Sequence, residues 1–305
     1  MSIVLTLDHL RLYQLNSQSA RYNKLGPRCS HYLANIRPSI DGSKGVFCMK
    51  RIEYSVNSGA AIISMNRIPV NAIDHEMIDE IHDALLAADA DKNVHAVIIT
   101  SSLRQMFCGG MDLRMIAEGG VEELREFVYK FYMKTLDIQY SMRKPTIAAI
   151  NGPARGAGMT LSISCDLILA SDDIDLGYPE VDIGLLPAIH YVHLPQQISR
   201  HKAFELLFLG KPISAFEAQH LGIVNKVVPR EELMSESLKM AASFVEKSPT
   251  IMALGRQSFV RANDLDYRRN IENQIETLCN VFQTHDGREG LVAFLEKRKP
   301  VWKNQ

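Results

Sequence analysis

Three short segments of this chain hold residue types at spacings suited to chemistry on an anionic intermediate. Two are glycine-containing junctions, Phe107-Cys108-Gly109-Gly110-Met111-Asp112-Leu113 and Asn151-Gly152-Pro153-Ala154-Arg155-Gly156-Ala157-Gly158-Met159-Thr160. Each follows an apolar run that reads as a buried strand. Glycine at such a place lets main-chain N–H groups approach a ligand, and a helix start adds a dipole that favours negative charge. One such junction is ordinarily only a turn. Two together can aim paired amide donors at a single anionic oxygen. The third segment is Gly177-Tyr178-Pro179-Glu180-Val181-Asp182-Ile183-Gly184-Leu185-Leu186-Pro187. Glu180, set between a proline and an apolar run, reads two ways. It is either a partly dehydrated acid whose raised pKa suits proton transfer, or a loop carboxylate that caps a backbone amide.

Other chemistry-bearing residues lead less far. His190 and His193 lie three apart but have no third ligand at fitting spacing, so they read as pocket or helix residues rather than a metal site. Cys108 follows a strand with no histidine partner in view and reads as a small buried thiol. Met106, Met111, Met115 and Met159 read as core or cavity lining, and Glu296-Lys297-Arg298-Lys299 as the surface of a helix.

The elements that must position these residues alternate. Residues 52–56 and 61–65 flank Asn57-Ser58-Gly59-Ala60, a hairpin signal. Asp74 opens a helix to about residue 90, with Met77, Ile78, Ile81, Leu85 and Ala88 on one face. Residues 94–100 form a buried strand, 121–142 a long helix, 146–150 another buried strand, 156–164 a short helix and 166–170 a strand. Beyond residue 200 the pattern is almost wholly helical, broken by residues 223–228 and by Pro249. Strands alternating with helices imply an α/β core followed by a helical tail. Composition agrees with a globular protein: 305 residues, 46% hydrophobic, 23% charged, formal net charge -1. That charge argues against a nucleic-acid or membrane-surface partner, and no apolar run approaches the ~20 residues of a membrane span. Five scattered cysteines without a CxxC suggest reduced thiols in a cytoplasm-like compartment. Residues 1–48 differ, with six Lys/Arg against Asp8 and Asp41, and six serines. They read as a flexible extension or upstream translation before Met49, with an organelle transit peptide as the alternative.

Taken together, the three segments resemble the enoyl-CoA hydratase/isomerase (crotonase) superfamily over roughly residues 51–302. Further support comes from Met65-Asn66-Arg67, Val70-Asn71-Ala72, residues 221–229, Gly287-Arg288-Glu289-Gly290 and residues 293–299. The resemblance implies a crotonase-like spiral of β-β-α units in residues 49–248, with residues 249–305 a helical oligomerisation region. It implies that the N–H groups of Met111 and Ala157 bind a thioester oxygen and that Glu180 is the acid/base. At the position of a second glutamate common in hydratases, this chain has Thr160, whose neutral hydroxyl orients water but accepts protons poorly. For coenzyme A the resemblance points to Arg67, Asn71, Ala72, Arg114, Phe294 and Lys297; for Arg114 ordinary surface charge is an equal alternative. His190 and Tyr191 replace small residues of many relatives and would reshape the acyl pocket.

The function implied is that of an acyl-CoA enzyme, foremost an enoyl-CoA hydratase (a lyase of fatty acid metabolism). The alternatives are 3-enoyl-CoA to 2-enoyl-CoA isomerisation, decarboxylation, thioester hydrolysis, or silent acyl-CoA binding. No metal and no cofactor beyond the coenzyme A of the substrate is implied. The expected assembly is a homotrimer or hexamer. The expected location is the cytoplasm, or an organelle matrix if residues 1–48 are a transit peptide.

Overall fold

The computed structural model describes residues 47–263 and 266–303. The expected extension, residues 1–48, therefore lies outside the described residues except for its last two. In chain order the elements are β1 (Phe47–Cys48), β2 (Ile52–Asn57), β3 (Ala60–Met65), α1 (His75–Ala90), β4 (Ala96–Ser101), α2 (Leu113–Val128), α3 (Thr135–Ser141), β5 (Thr146–Ile150), β6 (Ala154–Arg155), α4 (Ala157–Ile163), β7 (Leu167–Ser171) and β8 (Asp175–Gly177). There follow a 3-10 turn (Pro179–Ile183), α5 (Ala188–Gln197), α6 (Arg200–Leu209), β9 (Ile213–Ser214), α7 (Ala215–His220), β10 (Lys226–Val228), α8 (Leu233–Val245), α9 (Pro249–Asn263), α10 (Tyr267–Gln283) and α11 (His285–Leu295).

Seven strands form the main sheet in the order β1-β2-β3-β4-β5-β7-β10, antiparallel from β1 to β3 and parallel from β3 onward. Successive side chains of a strand point to opposite faces, and the apolar runs use both. Ile98, Ile147, Ala149 and Leu169 pack under α8 through Leu233 and Ala241. Val97, Ile99, Ala148, Ile150 and Ile168 join the larger core with Met77, Ile81 and Leu85 of α1. Burial on both faces is why these strands read as unbroken apolar runs rather than alternating ones.

A second sheet, β6-β8-β9, was not foreseen from the sequence, because two- and three-residue strands leave no periodic signal. It completes the expected repeat. β5 and β7 lie in the main sheet, while the strands that follow them, β6 and β8, lie in the small one.

The long helix expected over residues 121–142 begins earlier, at Leu113, where Asp112 caps it by accepting from the Arg114 N–H at 3.2 Å. It is interrupted at Gly120 (φ 71, ψ -154) and widens to a π-helical turn over Tyr129–Lys134 before α3. The helical tail is tied to the core by Arg256 of α9, whose buried guanidinium donates to Asp166 at 2.8 Å and to the Met142 carbonyl at 2.9 Å. α11 packs on the 3-10 turn with unusual closeness. A Cβ added at Gly290 would lie 2.5 Å from the carbonyl carbon of Ile183. No described helix is long and apolar enough to cross a membrane.

Candidate active site

The site is assembled by register. Cys108 pairs in parallel with Ala154, and Ala154 pairs in parallel with Leu176, while Arg155 pairs with Gly177. Three chain segments thus run side by side in one direction. Met111 lies three residues past Cys108, Ala157 three past Ala154, and Glu180 four past Leu176. All three therefore emerge at one end of the same short ladder. Their sequence separations explain why spacing alone could not show this.

The Met111 junction is held by its neighbours rather than by a helix. Gly109 donates to the Val70 carbonyl at 2.8 Å, Ile73 to the Gly110 carbonyl at 2.8 Å, and Asp112 to the Ile73 carbonyl at 2.9 Å. Asn71, fully buried and in the left-handed region (φ 52), accepts from the Arg67 N–H at 2.7 Å and donates to Ser101 Oγ and the Phe107 carbonyl. The Arg67 guanidinium bridges Asp112 at 2.6 Å and Asp74 at 3.2 Å and donates to the Ala72 carbonyl. Arg67, Asn71 and Ala72 thus brace the loop beneath the Met111 amide. Cys108 Sγ lies 3.1 Å from the Asn71 carbonyl, and burial pushes its thiol up to about 12, so it is no nucleophile at neutral pH.

The Ala157 junction closes on the first. Arg155 donates to the Cys108 carbonyl at 2.9 Å and Gly156 to the Gly177 carbonyl at 3.2 Å. Gly158 comes so near that a Cβ there would lie 2.7 Å from the Cys108 carbonyl oxygen. Gly156 takes φ 47, ψ -109 and starts α4. Among the described residues no backbone acceptor is present for the N–H of Met111 or of Ala157. Two donors in need of a partner, on adjoining segments, can receive one oxygen that gains negative charge.

Glu180 faces the same junction. A Cβ at Gly156 would lie 3.1 Å from its Oε1, and its Oε2 is buried without a hydrogen-bond partner. Burial raises its pKa from 4.5 to about 7, opposed only by its own main-chain N–H. A carboxyl poised there exists in both protonation states near neutrality and can move a proton either way. The capping alternative raised by the sequence does not describe Oε2. Around the carboxyl stand the phenols of Tyr132, Tyr178 and Tyr191, each raised by burial and then by the Glu180 charge. Asp182 is exposed, close to Gly210 rather than to this site.

Thr160 is 4% exposed and lines a cavity of about 430 Å³ bounded by Tyr132, Gln139, His193, Arg256 and Tyr267; Met111, Ala157 and Glu180 are not among the residues lining it. Its Oγ1 lies 3.2 Å from His190 Nε2, a contact between residues thirty apart that the sequence did not reveal. His193 Nδ1 meets the Tyr267 hydroxyl at 3.2 Å instead, and no cluster of three or more candidate metal ligands occurs among the described residues. Arg114, Phe294 and Lys297 are exposed; Lys297 closes α11 with φ 56. They are not among the residues bracing the two junctions.

The chain is similar to known proteins along most of its length. The model of the enoyl-CoA hydratase/isomerase family matches residues 55–305. A probable mitochondrial enoyl-CoA hydratase of Dictyostelium discoideum is 33% identical over 265 residues, covering 85% of this chain and 92% of that protein. A crotonyl-CoA hydratase of Syntrophomonas wolfei is 35% identical over 243 residues, covering 78% and 92%. Among solved structures, carnitinyl-CoA hydratase from Mycobacterium avium superposes with a TM-score of 0.76 at 30% identity, covering 85% of this chain and all (100%) of that one.

Proposed function

We propose that this chain, which belongs to the enoyl-CoA hydratase/isomerase family, is an enoyl-CoA hydratase that works with one carboxyl group. The relatives named as hydratases support the reaction class. The observation that carries the reading is that the segments bearing Met111, Ala157 and Glu180 leave the same end of a single ladder. The thioester carbonyl of a 2-enoyl-CoA sits between the Met111 and Ala157 amides, which stabilise the enolate oxygen as charge develops there. Protonated Glu180 gives its proton to the α-carbon while water adds at the β-carbon. The water's surplus proton returns to the other carboxyl oxygen, so the acid is regenerated and the product is a 3-hydroxyacyl-CoA. Thr160 Oγ1 lies 3.4 Å from the Gly156 carbonyl, whose peptide carries the Ala157 N–H, and that oxygen offers a lone pair that orients the water. Arg114 and Lys297 meet coenzyme A phosphates, Phe294 also contacts coenzyme A, and no further cofactor takes part. Exposed Ile251, Leu254 and Phe259 on α9 support self-association, as trimers or hexamers.

Isomerisation is the second reading, favoured by the single carboxyl: ionised Glu180 takes a proton from C2 of a 3-enoyl-CoA and returns it at C4. The sign of the pH dependence separates the two. Hydration requires the protonated acid, so kcat falls as pH rises through about 7. Isomerisation requires the carboxylate, so kcat rises over the same interval. Product analysis in deuterated water checks the outcome independently: a 3-hydroxyacyl product supports hydration, and deuterium incorporation with double-bond migration replaces it by isomerisation. Turnover of neither substrate rejects both.

A further inference from the structure

His190 has no part in the proton transfers above, yet it is 1% exposed and spends a buried imidazole on the residue that occupies the second carboxylate position. Its Nε2 lies 3.2 Å from Thr160 Oγ1. Thr160 in turn donates twice to the Gly156 carbonyl, through its main-chain N–H at 3.0 Å and its hydroxyl at 3.4 Å. When the threonine proton is directed at that carbonyl, the imidazole supplies its own hydrogen to Thr160 Oγ1, so Nε2 carries the proton and Nδ1 does not. Nδ1 is buried without a partner. A leucine of similar size would avoid that cost, so the Nε2 contact is the feature that sets this histidine apart from packing.

The Gly156 carbonyl and the Ala157 N–H belong to one planar trans peptide and point in opposite directions. Whatever fixes the carbonyl also fixes the aim of the N–H. We infer that His190 is a positioning residue for the oxyanion donor: acting through Thr160, it anchors the Gly156 carbonyl so that the Ala157 N–H is held toward the thioester oxygen. Burial keeps the imidazole neutral, with a pKa lowered to about 3, and its interaction with the Gly156 carbonyl opposes that shift. A neutral donor suits this task; a base with so low a pKa does not suit proton abstraction. The Tyr178 ring, its centroid 4.5 Å from the imidazole centroid and inclined at 62°, backs the arrangement.

The inference rests on the assignment of Ala157 as an oxyanion donor, and a spectroscopic probe separates the two. A dimethylaminocinnamoyl thioester of coenzyme A absorbs at longer wavelength when its carbonyl oxygen receives hydrogen bonds. If the wild-type protein binds this thioester without any such displacement, the oxyanion assignment fails and the present inference with it. Given a wild-type displacement, His190→Phe, which keeps a ring but no donor, is expected to lose half or more of it. Its kcat should fall about 10- to 100-fold with KM nearly unchanged, less than the ~100- to 1000-fold that follows complete loss of a donor. His190→Gln, whose amide nitrogen can replace Nε2, should recover most of both. The pH limb near 7 should stay where Glu180 puts it in every variant.

Equal wavelength displacement in His190→Phe and wild type overturns the inference. So does a folded His190→Gln no better than His190→Phe, which would mean packing alone, or a displaced pH limb, which would mean that His190 itself moves a proton. Should His190→Phe fail to fold, as judged by circular dichroism, Thr160→Val removes the same relay from its other end. It must then reduce the wavelength displacement, or the inference is lost.

Discussion

The two sides of the active site are built differently. The amide donors stand at strand ends, in segments 108–111 and 154–157 that are tied to each other and to residues 70–73 by main-chain hydrogen bonds and by the buried side chains of Asn71 and Ser101. Glu180 stands on a five-residue 3-10 turn. That turn is held from behind by α11, through near contact of backbones at Gly290 with Ile183 and at Gly184 (φ 74) with the carbonyls of Asp286 and Gly287. A main-chain donor has no rotamers, so its direction must come from the backbone itself, and a hydrogen-bonded ladder supplies that. A proton carrier needs placement and dehydration, which packing from a distant helix can provide. Damage to the two sides should therefore be distinguishable.

The largest effect is expected from Glu180→Gln, which removes the proton carrier and leaves the donors. Turnover should fall ~100- to 10,000-fold while acyl-CoA still binds and the thioester chromophore is displaced as in wild type. Loss of that displacement would mean that the two sides are not separable.

Next comes Gly158→Val. Its Cβ would meet the Cys108 carbonyl oxygen at 2.7 Å and the Cys108 Cβ at 2.8 Å, forcing the two donor segments apart. We expect ~100- to 1000-fold lower kcat, a lost chromophore displacement, and about 1–3 kcal/mol of destabilisation from overpacking, measured by denaturant unfolding.

Gly290→Ala strikes the other side. Its Cβ would lie 2.5 Å from the Ile183 carbonyl carbon and must push the turn bearing Glu180. A displacement of that kind costs up to ~100-fold in kcat. The pH limb should move below 7 as the carboxyl gains water, with the chromophore displacement kept. An unmoved limb would show that α11 is not what dehydrates Glu180.

The smallest effect concerns stability. Glu180 has a folded pKa of about 7 against an ordinary 4.5, so the fold prefers its protonated form. The associated stability is fully present below about 4.5 and is lost as pH rises through about 7. Glu180→Gln escapes that loss. It should match wild type near pH 4.5 and exceed it above pH 7, by on the order of 1–3 kcal/mol. Identical pH profiles of unfolding free energy would mean that the carboxyl is hydrated.

Much of the fold was readable in advance. Strands at 52–57, 60–65, 146–150 and 167–171 and the helix capped by Asp74 appear within a residue or two of expectation, because a hairpin turn, the buried apolar runs of 146–150 and 167–171 and an N-cap are local signals. The misplaced start of α2 has a physical reason. Its first turns run from Leu113 to an irregular Gly120, and exposed Glu118 and Gly119 interrupt the apolar period on which the expectation rested. Of the candidate residues, Met111, Ala157, Thr160 and Glu180 were recognisable from motif and resemblance. Arg67 and Asn71 were recognisable as residues that matter, but their partners Asp112, Ser101 and Phe107 were not.

Residue order alone specified the apolar strands, the two glycine junctions and a glutamate behind a proline, since each depends on chain neighbours within a few positions. Long-range packing chose everything that depends on direction and dielectric. Cys108 beside Ala154 and Ala154 beside Leu176 brought three distant segments to one end. The enclosure of Glu180 moved an ordinary acid to about 7. His190 met Thr160 across thirty residues. Hydrogen-bond aim and desolvation are properties of a surrounding volume, and a linear sequence does not contain that volume until it has folded.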